Sequence, residues 1–243
     1  MAQIRLDKLL SQTGERTRSE SAKLIRDGLV TVDGAPLRDP AHKVDAASQA
    51  VLLKGQPLAD EPFQYYLFHK PAGVLTAARD RSAPTVMDLV PEALRRRDVL
   101  PVGRLDKDTT GLLLLTNDGE LAHRLLSPKW HVWKAYLATV DGPLDASDVQ
   151  AFAAGMALSD FTAKPAELTV LACGEAQSTA RVRLSEGKFH QVKRMFGARG
   201  REVLALHREA FGPLRLDIET GALRPLTAPE IAALRMAAQG AQP

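Results

Sequence analysis

The sequence predicts an α/β protein, more closely an α+β one, built as two domains. Three observations carry that prediction. Residues Leu112–Leu115 are four consecutive leucines between turn residues, the pattern of a short strand buried on both faces. Strand-type segments alternate with segments of helical spacing along most of the 243 residues, a length that suits one large or two modest domains. The stretch Gln56-Pro57-Leu58-Ala59-Asp60-Glu61-Pro62 sets two prolines and two acids between apolar runs, which suits a linker. The expected division is a small domain over residues 1–56, a linker over 57–62 and a larger domain over 63–243. The alternation by itself is compatible with a parallel or an antiparallel sheet.

In the first domain, Leu6, Leu9 and Leu10 have helical spacing, and this helix is expected to end near Gly14. A second helix should begin near Ser19 or Ser21, either of which can cap it, and turn Ala22, Leu24 and Ile25 inward. Gly28 stands where a helix C-terminus favours a residue tolerant of positive φ. Leu29–Val32 then reads as a strand with Asp33-Gly34 as its turn, and Val51–Leu53 as another that closes at Lys54-Gly55. The helices carry Arg5, Lys8, Arg16, Arg18, Lys23 and Arg26, interspersed with Asp7, Glu15, Glu20 and Asp27. Such a face is either solvated or turned toward a polyanion.

The second domain should open with a strand at Tyr65–Phe68 and turn at Lys70-Pro71-Ala72-Gly73. A helix is expected from near Val86 to Arg95-Arg96-Arg97, cations that suit a helix C-terminus or meet phosphates. Asn117 or Asp118 can cap a helix that runs through Leu125 and stops before Pro128. Trp133–Val140 alternates as a strand, and a helix follows from Asp145 to about Ala154. Strands are expected near 166–172 and 179–184, then a tight turn at Gly187 and a helix over 190–199 stopped by Gly200. Two more strands are expected near 203–206 and 214–218, and Thr227-Ala228-Pro229-Glu230 is a capping box opening the last helix.

Composition excludes several classes. Hydrophobic residues at 45% and charged residues at 25% are ordinary for a soluble globular chain. A single cysteine, Cys173, excludes an internal disulfide and an all-cysteine zinc cluster, and fits a reducing compartment. The segment MAQIRLDKLL lacks the apolar core of a signal peptide and no apolar run reaches membrane-spanning length, so a cytoplasmic protein is expected. The net charge of +3 is mild, but Arg181 to Arg208 holds eight Lys or Arg against Glu186 and Glu202. Such a cluster suits a polyanion.

The polar segment Gly103-Arg104-Leu105-Asp106-Lys107-Asp108-Thr109-Thr110-Gly111 cannot be buried as the leucines after it are. It should form a loop at the mouth of their strand, where chemistry is often placed; by composition alone it reads equally as an acidic turn. The run GRLDKDTTGLLLLTNDG resembles the central motif of the pseudouridine synthases, in particular the branch that modifies bacterial ribosomal RNA. RLDKLLSQTGERTRSESAKLIRDGLVTVDG resembles the S4-like RNA-binding domain, and EGKFHQVKRM resembles a further segment of the synthases. The resemblance runs from about Ile4 to Met236. One departure is His69, where the family's Asn-Lys-Pro segment has Asn; no catalytic role is attached to it.

The resemblance implies a small S4-like domain followed by a catalytic domain with a mostly antiparallel central sheet flanked by helices. It implies that Asp106 is the catalytic carboxylate, that Lys193 is the cation paired with it, and that Tyr136, in Lys134-Ala135-Tyr136, stacks on the target base. By residue type alone Tyr136 is as well a core aromatic. Arg104 is expected to hold RNA phosphate or fill the space of the extruded base. Asp108, which shares its side, is read as organising the loop; Asp108, Thr109, His190, Gln191 and Arg194 complete the expected substrate-binding set. Arg5, Lys8, Arg16, Arg18, Lys23 and Arg26 become the RNA-binding face.

The implied reaction breaks the bond between uracil N1 and the sugar and rejoins the base through C5. It needs no redox change and no cofactor. A carboxylate must stay ionised in a shielded site, and a nearby cation opposes the effect of burial. Asp106 would either attack C1′ or remove the 2′ proton. The implied partner is ribosomal RNA or an assembly particle, acted on by a monomer away from any membrane. The His190–Arg194 form favours small-subunit RNA, with large-subunit RNA as the alternative. A non-catalytic rRNA-binding or assembly protein is a further alternative. A metal-dependent phosphohydrolase using Asp106 and Asp108 lacks further spaced ligands, so no metal is expected.

Overall fold

The computed structural model describes residues 3–11, 16–46, 48–58 and 63–240, without the Arg96 side chain. Two compact units partition the chain: residues 1–64 with 90–100 and 116–118, and residues 65–89, 101–115 and 119–243.

In the first unit, helix Leu6–Ser11 packs on helix Arg18–Arg26, and Leu6, Leu9, Leu10 and Ile25 join Val30, Val32, Val44 and Val51 in one core. Leu24, expected inward, is only half-buried. The second helix is capped by Thr17, not by Ser19 or Ser21. Thr17 has Glu20 three residues on, so its hydroxyl accepts from the Glu20 amide while the Glu20 carboxylate accepts from the Thr17 amide at 2.6 Å. Neither serine has an acid or amide at that spacing. Residues Ala35–Leu37, Val30–Val32, Val51–Leu53 and Gln56–Pro57 form a four-stranded antiparallel sheet in that order. Asp33-Gly34 and Lys54-Gly55 turn its hairpins with positive φ at both residues, as expected. Pro57, expected in the linker, thus ends a strand, while 59–62 and the expected first-helix end at Gly14 lie outside the described residues.

The second unit is organised by a nine-stranded mixed sheet. Its main path runs Glu167–Ala172, Gln177–Leu184, Lys134–Asp141, Val203–Phe211, Thr110–Thr116, Tyr65–Lys70 and Leu223–Pro225. The described registers are antiparallel except that of Val203–Phe211 with Thr110–Thr116. The sheet is therefore mostly antiparallel. Leu112–Leu115 are each 0% exposed, as a doubly covered strand requires. Lys134–Asp141 alternates strictly between buried and half-buried residues. The core on that side gathers Tyr136, Ala138 and Val140 with Phe152, Leu168, Val182 and Phe196.

Three expectations are corrected. The helix expected over 86–97 is a 3-10 turn at Val86–Asp88 and a helix at Glu92–Arg96, because Pro91 lacks the amide that a continuous helix would use. The strand expected to end at Leu206 continues to Phe211, and that near 214–218 shortens to Leu214–Arg215, which pairs back on it. The strand Leu223–Pro225 adds an edge that the sequence pattern does not announce.

Candidate active site

The Gly103–Gly111 loop is held from below. Thr76 is buried, its hydroxyl donating to the Leu105 carbonyl at 2.7 Å and accepting from the Leu105 amide at 3.1 Å. This clamps the backbone one residue before Asp106. The Lys70 side chain is 0% exposed, and its ammonium donates to the carbonyls of Pro71, Lys107 and Thr109 at 3.0, 3.2 and 2.8 Å. Burial lowers that ammonium to about 8, with Asp108 and Asp106 opposing the shift. The Thr109 amide closes the turn on the Asp106 carbonyl at 3.1 Å. Gly111 ends the loop at φ 111°, and a Cβ there would stand 2.3 Å from the Arg208 carbonyl oxygen. Only glycine fits that crossing.

Opposite the loop, His190 adopts a left-handed φ of 51° ahead of helix Gln191–Ala198. Its Nε2 lies 3.5 Å from Asp106 Oδ1, and its ring stacks on Phe189 at 3.7 Å between centroids. One turn into the helix, Lys193 Nζ lies 3.8 Å from Asp106 Oδ2 but donates at 2.7 Å to both oxygens of Asp108. The Lys193 hydrogen bond lowers the Asp108 carboxyl below its usual range. The two basic groups thus converge on two carboxylates, and Lys193 sits closer to Asp108.

Tyr136 and Asp106 line a cleft of about 780 Å³, together with Arg104, Phe189 and His190. That volume suits a nucleotide. Tyr136 is 9% exposed, belongs to the core cluster and also lines this cleft. Arg104 is exposed at the rim. Lys134 and Arg208, both buried, line the same cleft. Neither was expected among the site residues, although two-residue alternation puts Lys134 on the face of Tyr136.

Two residues of the expected substrate-binding set have partners within the protein. Gln191 is buried, donating to Glu186 at 2.5 Å and accepting from the Lys188 amide at 3.0 Å, so it shapes the turn before the helix. Arg194 reaches away to Asp160 and to Ser159 Oγ, and its guanidinium stands 4.8 Å over Phe161. The Thr109 side chain is 1% exposed beneath the loop. His69 is buried as well, bonded to the Ile218 carbonyl at 2.9 Å and near Thr220 and His207.

Charge is also redistributed by the fold. Of the eight basic residues between Arg181 and Arg208, five pair with acids: Arg181, Arg183, Lys193, Arg194 and Arg199. The linear excess is therefore largely balanced in space. In the smaller unit, Arg5 and Arg18 both hold Asp7, at 2.8 and 3.2 Å, whereas Lys8, Lys23 and Arg26 are exposed and Arg16 is half-buried. The Arg5 hydrogen bond leads in lowering the Asp7 carboxyl to about 2. Among the described residues no three His, Cys, Asp or Glu side chains converge as a metal ion would need, and no helix is long and apolar enough to cross a membrane.

Comparison with known proteins agrees with this architecture. The family model described as RNA pseudouridylate synthase matches residues 64–198, and that of the S4 domain matches residues 4–49. The chain is 43% identical to "Ribosomal small subunit pseudouridine synthase A" of Pseudomonas aeruginosa, over 94% of this chain and 99% of the relative. It is 39% identical to the protein of that name from Escherichia coli K12, over 95% of this chain and all of the relative. A crystal structure of a pseudouridylate synthase, 36% identical, superposes with a TM-score of 0.66 over 95% of this chain and 99% of that one. A loop carrying Asp106, a facing helix carrying Lys193 and an S4 domain ahead of them thus occur in a chain that belongs to the RNA pseudouridylate synthase family.

Proposed function

We propose that this protein isomerises a specific uridine of small-subunit ribosomal RNA to pseudouridine, with Asp106 as the catalytic carboxylate. The observation that carries the reading is the cluster at the cleft: Asp106 is flanked by Lys193 and His190, with Tyr136 lining the same cavity. Two relatives near 40% identity, matched over almost their whole length, bear a small-subunit synthase name, which supports the substrate.

In this reading the target uridine leaves its stack, at a cost of roughly a few kcal/mol that stacking and polar interactions in the pocket offset. Its base lies against Tyr136, and the sugar C1′ faces Asp106. The carboxylate either bonds to C1′ as the N1 bond breaks, or takes the 2′ proton. In both routes the freed uracil turns and C5 bonds to C1′, displacing Asp106 in the first route, while in the second Asp106 returns its proton to C2′; the proton lost from C5 is matched by one gained at N1. Lys193 Nζ and His190 Nε2 face the two carboxylate oxygens of Asp106, at 3.8 and 3.5 Å. Arg104 at the rim meets RNA, and Asp108 holds Lys193 until RNA enters.

The first domain, over residues 1–56, binds RNA through Lys8, Lys23, Arg26 and Arg16, while Arg5 and Arg18 contribute through a face ordered by Asp7. Residues 57–62 link it to the catalytic domain over 63–243. The protein acts as a monomer, in the cytoplasm where ribosomal RNA is assembled, and needs no cofactor.

Pseudouridine mapping of ribosomal RNA from cells with and without the gene tests this. A single site lost from small-subunit RNA is expected. A site lost from large-subunit RNA would overturn the substrate, and no lost site would overturn the activity. Asp106→Asn should bind RNA as the wild type does and form no product; turnover by that variant would remove Asp106 from its role.

A further inference from the structure

The cleft contains two cations that the Asp106 cluster does not use. Lys134 is 6% and Arg208 3% exposed, on neighbouring strands. Both stand over the Phe211 ring, at 5.6 and 5.3 Å from its centroid. Arg208 Nε donates to the Leu112 carbonyl at 2.7 Å, but its Nη2 is buried and meets no acceptor. Burial, then repulsion from Arg208, lowers the Lys134 ammonium to about 8, with Glu186 opposing. Glu186 is itself engaged, one oxygen accepting from Gln191 and from the Lys164 amide. Neither cation forms an ion pair among the described residues.

Two buried, mutually repelling cations with no carboxylate paired to either are costly, and one unsatisfied guanidinium nitrogen adds to that cost. Both line the wall of an open cavity that also holds Tyr136 and Asp106 and is edged by five Lys or Arg against two acids. We propose that Lys134 and Arg208 form an anion subsite that grips a phosphodiester group of the substrate RNA beside the extruded uridine. A neutral uracil carbonyl would leave both charges uncompensated. A phosphodiester brings one negative charge and oxygens for both Nη2 and Nζ. Held there, the backbone fixes the sugar relative to Asp106, so Lys134 and Arg208 act as positioning residues. The identity of the anion's carrier rests on the RNA substrate proposed above.

The test is titration of the full-length protein and its Lys134→Gln and Lys134→Arg variants with uridine, its 5′- and 3′-monophosphates, and inorganic phosphate. One monophosphate should bind wild type at least about tenfold more tightly than uridine does. Lys134→Gln should reduce that preference to about twofold or less, and Lys134→Arg should keep most of it. Equal binding of uridine and both monophosphates by wild type would overturn the subsite, as would an undiminished preference in Lys134→Gln. Inorganic phosphate binding as tightly as the nucleotide would assign the site to the free ion and overturn the RNA reading of it.

Should Lys134→Gln fail to fold, the Lys134 ammonium titration followed by NMR in wild type decides. It should move up with the monophosphate and stay with uridine; no movement with either overturns the proposal. A monophosphate preference that depends on Lys134, in a protein on which no rRNA pseudouridine depends, would leave the subsite standing while removing the proposed function.

Discussion

Lys193 Nζ lies 2.7 Å from both carboxylate oxygens of Asp108 and 3.8 Å from Asp106, so the ammonium nearest the candidate catalytic carboxylate is shared. Asp108 is 72% exposed, and an ion pair so open to water contributes only about 0–1 kcal/mol. Lys193 can therefore turn to Asp106 once RNA enters. Asp108→Asn should leave the rate of pseudouridine formation within about fivefold of wild type, by the same weak coupling. Lys193→Met should lower it by about 10²-fold or more, since Asp106 then loses its nearest ammonium. Single-turnover assays on rRNA transcripts separate the two; equal losses would show that Asp108 is needed for the chemistry.

Gly111 is where the loop meets the strand beside it. Gly111→Ala must place Cβ 2.3 Å from a backbone oxygen at φ 111°, and the backbone of Arg208 has no rotamer with which to yield. The expected loss is roughly 2–5 kcal/mol, combining strain and overpacking. Urea denaturation measures it, and the soluble yield should fall in parallel.

Stability should depend on alkaline pH. Lys70 and Lys134 titrate near 8 in the folded protein, below their ordinary value of 10.5. Between those values the unfolded chain binds more protons than the folded one, so stability contributed by these groups rises as pH rises from about 8 to about 10.5. Their penalty is fully present below pH 8, where both are charged while buried. Urea midpoints at pH 8 and 10, compared between wild type and Lys134→Gln, should show a smaller rise in the variant.

The smaller unit offers a separable test. Lys8 and Lys23 are exposed on its helices, whereas Arg5 and Arg18 help to hold Asp7. Lys8→Gln and Lys23→Gln should weaken rRNA binding, with the rate on bound RNA unchanged. Each phosphate left without its lysine should lower the salt slope by roughly 0.7–0.9. Asp7→Asn should instead lower thermal stability, because two guanidinium groups lose a buried carboxylate.

Much of the architecture was legible because it is written in short-range chemistry. Four leucines in a row require a strand covered on both faces, Asp33-Gly34 requires a tight hairpin, and Thr227 with Glu230 caps a helix wherever that helix packs. The Thr17 cap follows the same rule with Glu20 and was readable from the spacing. The motif residues around Asp106 were likewise evident as a polar loop before a buried strand. What each of them touches was not. Gln191 and Arg194 stand beside His190 and Lys193 in the chain, yet helical rotation turns Gln191 into the core and Arg194 toward Asp160.

Local sequence set most of the strands and helices, the turn residues, the polar loop that carries Asp106 and the mild excess of positive charge. Tertiary structure alone decided which charges meet. Most of the basic run from Arg181 to Arg208 is paired with acids remote in sequence, while Lys134 and Arg208 are left buried over Phe211. The physical reason is range. Caps, turns and strand alternation are settled within a few residues, but burial and charge pairing depend on which strands are neighbours, and Lys134 and Arg208 become neighbours only when the sheet closes.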